Sequence, residues 1–222
     1  MGLNRAYERI NELPGTIPVF PLAGALLLPR GQMPLNIFEP RYLQMIEDSL
    51  RNHRLIGMVQ PDSSAPPVRS GPALHSVGCA GRITQFAESG DGRLLITLTG
   101  VCRFRIAEEL ASATPYRQCV VSFSDYAADL DASAGETDVD RESIVRMLRA
   151  FADGNRIKLD WGEIEKAPNE ALVNALSMMS PFGTVEKQAL LEAETLKARA
   201  EVLVALAEID LARGGNAPTA LQ

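Results

Sequence analysis

The sequence predicts an α+β protein, a β-rich first half folded as a closed or nearly closed barrel and a helical second half. Three observations predict it. Up to Phe123 short apolar runs alternate with Pro- and Gly-rich breaks, the pattern of several buried strands. Between Asp125 and Asp140 aspartates and one glutamate stand among Ala, Ser and Gly, with little to bury. Beyond that stretch apolar residues recur at helical spacing.

The elements follow in order. Residues 1–15 form an N-terminal extension. Ile17 to Phe20 and Ala25 to Leu28 are apolar runs bounded by Pro and Gly and read as strands. A third element, Pro34 to Tyr42, leads into a helix: Pro40 suits the first helical position, where a missing N–H costs nothing, and Leu43, Ile46 and Leu50 follow at helical spacing. Arg54 to Gln60 resumes a strand, and Pro61 to Pro72, dense in Pro, Ser and Gly, is a surface loop. Arg82 to Ala87 and Leu94 to Leu98 make a hairpin around Ser89-Gly90-Asp91-Gly92, whose Asp-Gly pair supplies the positive φ values that tight turns demand. Gly100 to Ile106 and Tyr116 to Phe123 are further strands. Closing them into a barrel removes exposed edges.

The barrel is expected over residues 16–126, an acidic linker over 127–140, a helical sub-domain over 141–213 and a tail over 214–222. In the helical part, Asp140 caps a helix carrying Ile144, Leu148 and Phe151. Leu172, Leu176 and Met179 mark a second helix behind Pro168 and Asn169. A short helix starts at Val185. Thr195 caps a longer one whose stripe is Leu196, Ala200, Leu203 and Ala207, stopped by Gly214-Gly215 and Pro218.

Composition excludes several classes. At 222 residues with 46% hydrophobic content and a mean hydropathy of −0.02, the chain needs no metal or disulfide to fold. A net charge of −6 and a pI near 5.1 give no general attraction to nucleic acid or anionic membrane. Cys79, Cys102 and Cys119 are distant in sequence and lack Cys-x-x-Cys spacing, which argues against a disulfide framework or zinc site and fits a reducing cytosol. The charged N-terminus is unlike a signal peptide, and no apolar run has the length of a membrane helix. A cytoplasmic location is expected.

No P-loop, G-x-S-x-G elbow or H-E-x-x-H motif is present, and His53 and His75 stand in polar or loop contexts without an evident partner. Asp129, Asp131 and Ser133 alternate as calcium ligands do. An EF-hand would need Gly and Glu where Ala134 and Asp140 stand, so the stretch reads as a solvated charged linker and no cofactor is expected. Arg51 and Arg54, and Arg103 and Arg105 around Phe104, are the basic candidates for nucleic acid. The strand pattern equally places Phe104 inward with its arginines on the outer face. Glu39 and Arg41 flank Pro40: they are either polar anchors of a groove with Phe38 and Tyr42, or a local pair at a helix entrance whose two aromatics fill the core. The residues alone favour the second reading.

The segment from Ile17 to Tyr42, IPVFPLAGALLLPRGQMPLNIFEPRY, resembles the opening of the Lon N-terminal, substrate-binding domain. Val77-Gly78-Cys79-Ala80-Gly81-Arg82-Ile83, the strand Gly100 to Ile106, and Pro181 to Glu192 resemble later parts of that family, in order and spacing, so that the resemblance spans roughly Thr16 to Leu211. It implies a PUA-like β pseudo-barrel followed by a C-terminal helical bundle. In Lon proteases such domains help capture unfolded or tagged substrates. The Ile37 to Tyr42 version looks more like stand-alone bacterial proteins, and Lon domains attached to RING fingers, than full-length Lon. With no Walker or Ser/Lys protease motifs, the expected function is a non-enzymatic polypeptide-binding module. Its partners would be unfolded segments of other proteins, with a protease as a further partner, and no membrane. Phe38, Arg41, Tyr42 and Met45 are the expected peptide-binding residues. The alternatives are RNA binding by the barrel, with Arg103 and Arg105 on phosphates, and a hydrolase built on His53 or His75.

Overall fold

A computed structural model describes residues 6–155 and 158–212. The expected helix stop at Gly214-Gly215 and Pro218, and the tail 214–222, lie outside the described residues. The chain divides into two compact units between Ala132 and Ser133, inside the stretch read as a linker.

The first unit is a mixed sheet of β1 (Thr16–Pro21), β2 (Gln32–Ile37), β3 (Leu55–Val59), β4 (Val77–Glu88), β5 (Leu94–Leu110) and β6 (Arg117–Ser122), with helix α1 (Pro40–Arg51) between β2 and β3. The strand order is β2-β5-β4-β3-β1-β6. β6 also pairs with the far half of β5, from Arg105↔Ser122 to Leu110↔Gln118, so that β5, β4, β3, β1 and β6 close into a ring. Only β1 and β3 pair in parallel, the connection that requires a crossover, and α1 lies in it. Register shifts at Ala80/Gly81, Ile83/Gln85 and Ile106/Glu108 bend the long strands around the ring.

The sequence presents the hairpin arm Leu94–Leu98 and the run Gly100–Ile106 as separate strands; they are one strand, β5. Ala25–Leu28, expected as a strand, is not one. Its leucines Leu26, Leu27 and Leu28 are buried, but its backbone lies across β5 instead of joining a ladder. Arg30 N–H donates to Gly100 O and Gly100 N–H to Gly31 O, both at 2.8 Å. A Cβ on Gly100 would lie 2.0 Å from the Leu28 carbonyl oxygen, so this crossing requires glycine. The strand that the pattern does not mark is β2, whose Pro34 fits an edge position.

Phe104 is fully buried at the ring's centre, as the inward-facing reading expects. Its ring occupies space that a Cβ on Gly57 or Gly78 would enter, at 2.7 and 2.6 Å. Neighbouring Arg103 is also buried, contrary to the outer-face reading. Its backbone N–H, Nε and NH2 donate to the Asp129 carboxylate at 2.9, 2.9 and 2.8 Å, and its guanidinium stacks 4.4 Å from the centre of the Tyr126 ring. Asp129 and Tyr126 belong to a 3-10 segment, Ser124–Leu130, that packs on β5. The first part of the supposed solvated linker is thus clasped to the barrel by a buried ion pair.

The second unit contains α2 (Arg141–Asn155), α3 (Trp161–Lys166), α4 (Asn169–Met179), α5 (Thr184–Glu192) and α6 (Leu196–Ala212). Side-chain caps start the helices where the sequence places them: Ser143 N–H donates to Asp140 Oδ1 at 3.1 Å and Ala198 N–H to Thr195 Oγ1 at 3.1 Å. Periodicity does not foresee α3, which Asp160 caps by accepting from the N–H groups of Gly162 and Glu163. The expected α6 stripe, Leu196, Ala200, Leu203 and Ala207, is buried. Arg199, also buried, donates to Leu190 O at 2.9 Å and to Asn174 Oδ1 at 3.0 Å, joining α6 to α5 and α4.

Candidate functional site

The corner where β2 enters α1 brings the four expected peptide-binding residues into one neighbourhood on two levels. Ile37, the last residue of β2, is buried, and the alternation turns Phe38 outward, where it is 62% exposed. Glu39, with extended backbone, is the N-cap position of α1 and Pro40 its first residue. The Glu39 carboxylate makes no cap bond; it accepts from Arg41 Nε at 2.9 Å. The Arg41 guanidinium lies 4.5 Å from the centre of the Tyr42 ring.

Beneath this exposed layer lie Tyr42 and Met45, both buried. The Tyr42 ring packs on Phe20 with centroids 4.3 Å apart, and burial pushes its phenol pKa up against the opposing charge of Arg41. The buried stripe of α1 is Tyr42, Met45, Ile46 and Ser49, while Leu43 and Leu50, which mark the helix in the sequence, are half-buried. Of the two readings of this corner, the local Glu39–Arg41 pair and the core role hold for Tyr42, and the exposed role holds for Phe38.

A residue that sequence reasoning misses adjoins Phe38. Asn36 stands opposite Leu95 on β5, and alternation places Phe38 and half-exposed Leu95 on that same face. Arg93 reaches within 5.9 Å of the centre of the Phe38 ring. The pattern alone assigns Leu95 to an ordinary hairpin arm; only the register shows it beside Phe38. The corner thus offers exposed apolar surface beside the Arg93 guanidinium, with the Glu39–Arg41 pair at the helix entrance, suited to non-covalent contact.

The other candidates are dispersed. Arg105 pairs with Asp125 at 3.0 Å on the surface, and Arg103 faces inward, so the two arginines form no joint phosphate site. Arg51 pairs with Glu47 and Asp48. His53 is exposed and His75 half-buried, and among the described residues neither imidazole hydrogen-bonds an acid or a nucleophile. Asp129 is engaged with Arg103, and among the described residues no group of His, Cys, Asp and Glu is arranged to hold a metal ion. Among these residues, no helix is long and apolar enough to cross a membrane.

A family model described as the ATP-dependent protease La (LON) substrate-binding domain matches residues 16–208. Among curated proteins, Lon protease 2 of Myxococcus xanthus is 21% identical over 196 residues, which cover 88% of this chain and 24% of that protein. Lon protease 2 of Sorangium cellulosum is 26% identical, covering 86% and 24%. The chain therefore spans about a quarter of the length of these relatives. Among solved structures, the fold is similar to a Lon N-terminal domain protein from Xanthomonas campestris, with a TM-score of 0.61, 21% identity and coverage of 86% of this chain and 97% of that one. It is also similar to the N-terminal domain of a Mycobacterium avium complex Lon protease, with a TM-score of 0.62, 16% identity and coverage of 87% and 98%.

Proposed function

The chain belongs to the family of LON substrate-binding domains, and from that premise we propose that it binds segments of other polypeptides without catalysing a reaction on them. The observation that supports this is the corner at Phe38: a large apolar side chain held out to solvent at the junction of a strand and a helix, on the same face as Leu95 and with the Arg93 guanidinium 5.9 Å from its ring centre. A protein gains nothing in its own core from such a group. An incoming apolar side chain would bury it, and Arg41 would donate to a client carbonyl or carboxylate. Tyr42 and Met45, expected as contact residues, are buried in the core beneath and would support this corner without touching the client.

The test is fluorescence anisotropy with a labelled polypeptide that has been reduced and alkylated so that it stays unfolded. Phe38→Ser and Arg41→Ala together should weaken binding about tenfold or more, as loss of a central anchor does. Both changes are superficial, so thermal stability should stay within about 0.5 kcal/mol of the parent. Variants that fold normally and bind the polypeptide unchanged would remove this surface from the reading.

A further inference from the structure

The helical unit contains an apolar cavity of about 590 Å3 that the polypeptide-binding reading leaves unused. Phe151 of α2, Leu176 of α4, Phe182 of the turn before α5, and Leu203 and Ala207 of α6 contribute to its walls, with Lys187 and Asp210 as charged lining residues. We propose that this cavity binds a straight-chain fatty carboxylate, the hydrocarbon lying among these side chains and the carboxylate at Lys187.

The volume falls within the range of small-ligand sites, and such sites combine apolar walls with a few polar groups that orient the ligand. Lys187 is half-buried and donates to the Met178 carbonyl at 3.5 Å. Burial pushes its pKa down, so a carboxylate arriving beside it favours its charged form. Asp210 is exposed, where solvent screens it, and the inner charge of the cavity is therefore the lysine's. Ser180 Oγ, a further polar group of the lining, already donates to Leu176 O at 2.6 Å. A peptide threaded into this chamber would bring backbone amides that need partners, whereas a hydrocarbon chain brings none.

The experiment is isothermal titration of the whole chain with dodecanoate below its micelle concentration, with dodecanol in parallel. The expected result is saturable binding of dodecanoate at one site, tighter than dodecanol, weakened about tenfold by Lys187→Met and lost in Ala207→Phe, which fills the cavity. Should Ala207→Phe fail to fold, the affinity of Lys187→Met decides the matter. The proposal is overturned by an absence of saturable binding, by equal affinity for acid and alcohol, by an unchanged Lys187→Met variant, or by a peptide with an apolar C-terminus that outcompetes dodecanoate.

Discussion

Removing the Asp129 carboxylate should unlatch the 3-10 segment from the barrel. In Asp129→Ala three donors of Arg103 lose their acceptor at once, and a guanidinium with only 5% of its side chain exposed stays behind without its counter-charge. Breaking a buried pair in this way costs about 3–5 kcal/mol. For a chain of this length each kcal/mol moves the melting temperature by about 2–4 °C, so a fall of about 12 °C is expected. Arg103→Met should cost a similar amount by stranding the carboxylate. The double variant Asp129→Ala with Arg103→Met buries no charge, so its loss should fall short of the summed single losses by a coupling of about 1–3 kcal/mol. Thermal melts and urea titrations of the four proteins measure this directly. A single-variant shift under about 2 °C, or a double variant as damaged as the sum of its parts, would refute the clasp.

Other outcomes follow from single positions. Gly100→Ala drives a methyl group into the Leu28 carbonyl oxygen and should cost about 3 kcal/mol, measured by urea unfolding; an unchanged midpoint would mean that the Ala25–Leu28 segment moves freely. Thr195→Ala removes the α6 cap bond and should cost about 1 kcal/mol in the same assay, while Thr195→Ser should restore most of it. Burial pushes the Cys102 thiol from its ordinary 9.0 to about 12 and, with Cys79 and Cys119 also buried, an aromatic disulfide reagent at pH 8 should label no thiol in the folded state and three after unfolding. Because the unfolded thiol ionises first, the folded state holds more protons between pH 9.0 and about 12, and its stability should fall with rising pH across that window.

The helices are the most legible part of the chain, because Asp140 and Thr195 mark where two of them start and Leu196, Ala200, Leu203 and Ala207 keep one face. The barrel is legible as a set of strands but less so in its pairing. Leu26–Leu28 reads as a strand because continuous burial looks alike whether a ladder or a crossing segment supplies it. Pro34 hides β2, since proline argues against a strand except at an edge, and edge status is a property of the whole sheet. Asp129 looks solvated because local composition cannot reveal an arginine that reaches it from β5. The corner at Phe38 is visible as a motif, yet its division into an exposed layer and a buried one depends on the phase of α1 and on the register that brings Leu95 alongside.

The closing pair β5–β6 has a consequence for how the chain folds. β1 is made early, but its antiparallel neighbour along Thr16↔Val120 to Val19↔Arg117 is made only after β3, β4 and β5. Until β6 arrives, β1 and the far half of β5 both present raw edges able to accept a foreign strand. Pairing across such sequence separation is slow, since loop entropy is spent before contacts return it. Chains cut short between Leu110 and Arg117 would therefore have most of the sheet's residues and none of its closure, and in a series of lengthening chains aggregation should fall sharply once β6 is complete at Ser122 rather than decline gradually.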